Sequence, residues 1–272
     1  MSEHGGRVRA RSEEMAGLKV QWHEAGDDPV PVLYVHGQPN HGAQWRPFME
    51  HTGGLAPDLP GFGASGKPGH FPYDIQGYGA WIEAFLEARG VDRYRLVVHD
   101  WGAVGLAAAQ AAPERVERLV VIDAVPFLSG YRWLLMARLW RRRLVGELAM
   151  GATTKAIMRR LLATLDGRAH PDEALDEVWR HFDHGTQRAI LRLYRSAPPD
   201  VLARAGERLH TLEAPTLILW GGDDRFLEPD FAHRYADALG GDAEVEVLAG
   251  RGHWPWLEDP SVVERVASFL EG

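Results

Sequence analysis

Short apolar runs alternate with amphipathic stretches through the first half of the chain. The segments at 18–23, 30–36, 54–57, 95–99 and 118–123 are predicted strands, being brief, mostly apolar and bounded by glycine, proline or aspartate. Segment 77–88 has the apolar spacing of an amphipathic helix, closed by Gly90. Such alternation favours an α/β fold with a mostly parallel central sheet flanked by helices. After Pro126 the pattern changes. As far as about Leu209 the periodicity is helical with no strand signal, and Tyr131, Trp133, Trp140, Trp179 and Tyr194 fall within this block. Strand signals return at 215–220 and 244–248, and a closing helix begins near Ser261. The chain thus reads as a core over 1–126 and 210–272 with an all-helical cap, 127–209, inserted after the sixth strand. An insertion of this kind lies over the carboxyl ends of the strands, where ligands bind in open α/β sheets.

Composition narrows the partners. A length of 272 residues with 45% hydrophobic content can bury one large core. The net charge of −8 disfavours nucleic acid or an anionic membrane, either of which would repel the chain. Cysteine is absent, which removes disulfides, thiolate catalysis and cysteine-ligated zinc. The first residues lack an apolar signal region and no run is long enough to span a bilayer, so a cytoplasmic protein is expected. A monomer or homodimer fits equally.

Chemistry concentrates around Asp100. Arg95-Leu96-Val97-Val98-His99 is a buried strand, Asp100 the apex of a tight turn, and Trp101-Gly102-Ala103 opens an alanine-rich helix. An apical residue is presented to a cavity beside its neighbours' N–H groups, and small residues must follow where strand and helix approach closely. A carboxylate there can attack an electrophilic carbon directly, leaving an ester to be hydrolysed. It suits an sp³ carbon bearing a leaving group better than an amide or ester, whose attack would give a reactive anhydride. His36-Gly37-Gln38-Pro39 follows another strand, so the N–H groups of Gln38 and Trp101 can form an oxyanion hole. The turn from Asp58 to Ser65 packs beside it. His253, after the last strand, is the expected base, and Asp224, after the preceding one, the acid that orients it; Asp223 and Asp123 stay open as alternatives.

With these motifs in this order the chain resembles an α/β-hydrolase of the epoxide hydrolase and haloalkane dehalogenase group, from about residue 15 to the end. The resemblance implies the fold, the cap, the ester intermediate and a cis bond at Gln38-Pro39. In its epoxide hydrolases two cap tyrosines hold the epoxide oxygen, and Tyr194 (in Leu193-Tyr194-Arg195) and Tyr131 are the candidates here. A dehalogenase needs halide donors instead: the Trp101 indole is present, but Gln38 stands where an asparagine is usual. The tyrosine pair favours opening of small hydrophobic epoxides to diols. Dehalogenation is the alternative, and a non-catalytic small-molecule receptor a distant one. His36, Pro39, Trp101 and Trp254 are expected around the substrate, with water as co-substrate and no cofactor. His99 reads as a buried structural histidine, and Arg138, Arg141, Arg142 and Arg143 as a solvated helix face. His170, His181 and His184 have no companions at ligand spacing along the chain, so no metal is expected.

Overall fold

The computed structural model describes residues 6–166 and 171–272. Arg9–Met15 (β1) and Leu18–Ala25 (β2) form an antiparallel hairpin around Ala16 and Gly17, which lie at φ 50° and 77°. Paired positive φ values give the turn whose twist matches its strands. The sequence reading missed β1, whose Arg-Ala-Arg-Ser-Glu-Glu-Met has no apolar alternation and is largely exposed at the sheet edge. Val32–Val35 (β3), Arg46–Thr52 (α1), Gly54–Pro57 (β4), Ile75–Ala88 (α2), Tyr94–Asp100 (β5), Val104–Ala111 (α3) and Val116–Ala124 (β6) follow. Asp74 starts α2 by accepting from the Gly77 N–H at 2.7 Å, and Gly90 ends it at φ 65°.

Six cap helices then run in succession among the described residues: Leu135–Trp140 (α4), Val145–Gly151 (α5), Lys155–Asp166 (α6), Asp172–His181 (α7), His184–Ser196 (α8) and Pro199–Ala205 (α9). Thr216–Gly221 (β7), Asp230–Ala238 (α10), Ala243–Leu248 (β8) and Ser261–Glu271 (α11) complete the core. The sheet order is β1-β2-β4-β3-β5-β6-β7-β8, with β2 antiparallel to both its neighbours and the remaining strands parallel. This is the α/β-hydrolase fold.

Parallel strands are covered on both faces, which explains their continuous apolar runs. One face packs on α1 and α11 through Phe48, Met49, Val263 and Val266; the other packs on α2, α3 and α10 through Ile82, Leu106 and Tyr235. Leu96, Val97 and Val98 of β5 are fully buried, each worth about 1.5–3 kcal/mol. Because β5 to β8 are parallel, Asp100, Asp123, Asp224 and His253 all emerge at one end of the sheet, beneath the cap.

Candidate active site

Asp100 sits at φ 52°, ψ −125°, where β5 breaks register with β6. A non-glycine residue at such a φ is strained, at about 1–3 kcal/mol, and the surroundings must enforce it. Here the enforcement is close packing: a Cβ on Gly102 would lie 2.1 Å from the Val35 carbonyl oxygen, and one on Gly37 would lie 2.4 Å from Asp100 Oδ1. The apex side chain is therefore held against the loop after β3. There the Gln38 N–H donates to Asp100 Oδ1 at 2.9 Å. The other oxygen, Oδ2, lies 3.5 Å from His253 Nε2.

His253 is 1% exposed, and its Nδ1 is 2.7 Å from Asp224 Oδ2. Asp224 Oδ1 in turn accepts from the N–H groups of Phe226 (2.6 Å) and Leu227 (3.1 Å), which fixes the carboxylate. Burial disfavours charge on this imidazole, but the carboxylates of Asp224 and Asp100 outweigh it and hold its pKa well above the ordinary value. Of the open alternatives, Asp224 is the carboxylate in hydrogen-bond contact with the ring. Asp123, fully buried at φ 37°, accepts instead from the Gly221 N–H at 2.8 Å. Burial, then the adjacent Asp224, push its carboxyl well up, so it keeps its proton.

Two supports of His253 escaped the sequence reading. Asp166, at the end of α6, accepts from the His253 backbone N–H at 2.6 Å, so the cap itself holds this loop. His99 donates from Nε2 to the His253 carbonyl at 2.8 Å, and burial lowers its pKa to about 3, so it is neutral. His99 is thus the buried structural histidine expected. Only its neighbourhood with Asp100 hinted at more.

Tyr194 lies opposite Asp100. Its ring is enclosed by Trp101, Trp133 and Trp140, at centroid distances of 5.2, 4.8 and 5.3 Å. The Gln38 amide Nε2 donates to its hydroxyl at 2.7 Å. Burial and the Asp100 charge raise its pKa, so the phenol keeps its proton. Tyr131 is buried close by: burial, then the neighbouring Tyr194 and Asp100, hold its phenol well above the ordinary pKa. Its ring is buried edge-on against Trp133 and Phe231, and it is not among the described residues lining the cavity. His36 also departs from its expected role at the substrate. Its Nδ1–H donates to the Gly37 carbonyl (2.7 Å) and its Nε2 accepts from the Leu59 N–H (2.9 Å), which ties together the loops after β3 and β4. Asp58 braces the same turn, accepting from the Gly42 and Ala64 N–H groups at 2.8 Å each.

Asp100, His253, Tyr194, Gln38, Pro39 and Trp254 line one cavity of about 620 Å³, counting the space open to solvent at its mouth. Met136, Trp140, Met150, Met158, Leu161 and Phe226 make the rest of its wall mostly apolar. The Trp101 indole N–H is buried and has no hydrogen-bond partner among the described residues. The Gln38-Pro39 bond is cis, as the resemblance implied. Arg138, Arg142 and Arg143 are exposed as expected, whereas Arg141 is half-buried and donates to the Tyr194 carbonyl. His170 lies outside the described residues. A carboxylate, an imidazole backed by a second carboxylate, and a phenol around one apolar hollow can carry out attack at carbon followed by ester hydrolysis.

The model of the alpha/beta hydrolase family matches residues 32–266, and the chain belongs to that family. It is similar to a haloalkane dehalogenase of Bradyrhizobium diazoefficiens, 25% identical over 97% of this chain and 95% of the relative. It is similar also to epoxide hydrolase 1 of Caenorhabditis elegans, 25% identical over 96% of this chain and 70% of the relative. Among solved structures, the haloalkane dehalogenase DbeA from Bradyrhizobium elkani matches with a TM-score of 0.82, at 25% identity over 97% of this chain and 98% of that one. The protein is a hydrolase of the group that the motifs around Asp100 resemble. No helix among the described residues is long and apolar enough to cross a membrane.

Proposed function

We propose that the protein is an epoxide hydrolase acting on small hydrophobic epoxides, with Asp100 as nucleophile, His253 as base, Asp224 as the acid that orients it, and Tyr194 as proton donor. The observation that carries this reading is the phenol of Tyr194 in the cavity opposite Asp100, its oxygen already accepting from Gln38 Nε2 and its proton available to a substrate oxygen. Asp100 Oδ2 attacks a ring carbon, the C–O bond breaks, and Tyr194 protonates the departing alkoxide. Esterification removes the Asp100 charge 3.5 Å from His253 Nε2. One of the two carboxylates holding the proton on the imidazole is then gone, so the ring releases it to the Tyr194 phenolate, restoring the phenol, and the neutral ring can take a proton from water. Water adds to the ester carbonyl, the Gln38 and Trp101 N–H groups stabilise the oxyanion, and a vicinal diol leaves.

Dehalogenation remains the second reading because the buried Trp101 indole N–H, beside Tyr194, makes no close hydrogen bond among the described residues, as a halide donor would not. Against it, the Gln38 amide that would supply the second donor is engaged by Tyr194. Turnover of styrene oxide and of 1-bromobutane separates the two: diol formation supports the first reading and bromide release the second. In His253→Gln the ester should accumulate, visible in intact-protein mass spectrometry as an increase equal to the epoxide mass. Parental turnover by that variant would refute the scheme.

A further inference from the structure

Away from this cavity, a second group of polar side chains joins the cap to the core. His41 follows β3, in the loop that also carries Gln38 and Pro39. It is 3% exposed, and neither ring nitrogen has a hydrogen-bond partner among the described residues. Such an isolated buried imidazole is costly unless something is bound to it. On its Nδ1 side Asp58 Oδ1 of the core lies 3.9 Å away, and the side chains facing its Nε2 come from α7 of the cap. His41 Nε2 lies 3.9 Å from Glu177 Oε2, and the His41 and His181 rings are 4.9 Å apart. Glu177 and His181 are four residues apart on a helix and so share one face. One ligand-type atom from each of the three residues lies within 4.8 Å of the other two.

We propose that His41, Glu177 and His181 form a site for a divalent transition-metal ion of the zinc class, with a fourth position open to water, that latches cap helix α7 to the core loop after β3. Two imidazoles and a carboxylate are a donor set that zinc takes, at about 2.0–2.1 Å from each atom. Tetrahedral geometry then sets neighbouring donors roughly 3.4 Å apart, so the present spacing needs to close by about 1.5 Å at most. Glu177 and His181 are only partly buried and can make that adjustment. Burial, then neighbouring histidine and arginine charge, lowers the His41 pKa to about 3, leaving its lone pair free at neutral pH. Opposing cations are Arg46 near His41, Lys67 near His181, and Arg180, which pairs with Glu177 at 2.6 Å; that last pair is exposed and of the weak kind that an ion can displace. Along the chain His181 has no companion; across the fold it has two, because His41 is brought against it from 140 positions away.

The test uses the tag-free full chain stripped with a chelator and titrated with zinc chloride, followed by calorimetry and thermal unfolding. One ion per chain and a melting temperature that rises with zinc and falls back on adding EDTA are expected. His181→Ala and Glu177→Gln, at partly exposed positions that leave the core closed, should bind at least about a hundredfold more weakly, a loss of about 2.7 kcal/mol. Asp123→Asn, in the other close group of ligand-type side chains (Asp123, Asp224 and His253), should retain zinc uptake. No uptake by the parent, undiminished uptake by His181→Ala, or loss of uptake in Asp123→Asn would overturn the proposal. None of these readouts depends on which substrate the enzyme turns over.

Discussion

Tyr194→Phe removes one oxygen atom and separates packing from chemistry. The phenylalanine ring keeps the enclosure by Trp101, Trp133 and Trp140, since those contacts involve the ring and not the hydroxyl. What is lost first is the acceptor for Gln38 Nε2, now 2.7 Å away. An unsatisfied donor costs about 1–3 kcal/mol. At roughly 2–4 °C per kcal/mol for a domain of this size, the melting temperature should fall by several degrees and the protein should stay folded. The second loss is the proton for the opening ring. Removing a donor from a developing oxyanion costs about 10²–10³ in kcat, or roughly 3–4 kcal/mol of barrier. Diol formation from styrene oxide should therefore drop by that factor, measured by chromatography beside a thermal-unfolding control. Any bromide release from 1-bromobutane should change less than about threefold, because a halide leaves without a proton. Parental epoxide kcat in the folded variant would refute the assignment of Tyr194 as proton donor. Equal losses on both probes would return it to a packing role.

Two further outcomes follow from the same geometry. Asp123 is pushed well above the usual carboxyl range by burial and then by Asp224, so it stays protonated in the fold but ionises in the unfolded chain. Its contribution to stability is complete below about pH 4 and is lost as pH rises. The stability of Asp123→Asn relative to the parent should accordingly grow from about pH 5 to about pH 8 in urea unfolding. A constant difference would mean that Asp123 is ionised in the native state. In Gly37→Ala the added methyl would lie 2.4 Å from Asp100 Oδ1, and the carboxylate has to move. Misplacement of about 1 Å costs on the order of 10²-fold in rate, so kcat should fall at least that far; a parental kcat would show that the elbow shifts freely.

The strand, turn and helix around Asp100 could be read directly, because a dozen adjacent residues encode them: an apolar run, then Trp101, Gly102 and Ala103, small enough for close approach. His253 and Asp224 were legible for a related reason, since each follows a strand whose apolar run is visible and parallel strands end at one side of a sheet. The helical insertion announced itself by a change of period. Side-chain partnerships were a different matter. That Asp224 and not Asp123 meets His253, that Asp166 holds the histidine loop from the cap, and that Tyr194 lines the cavity with Asp100 depend on how separated elements pack. The pairing of His41 with Glu177 and His181 is of the same kind. Hydrophobic periodicity is written into neighbouring residues and survives reading one stretch at a time. A polar contact of 3 Å between residues a hundred positions apart is decided only when the sheet order and the seating of the cap fix the distances.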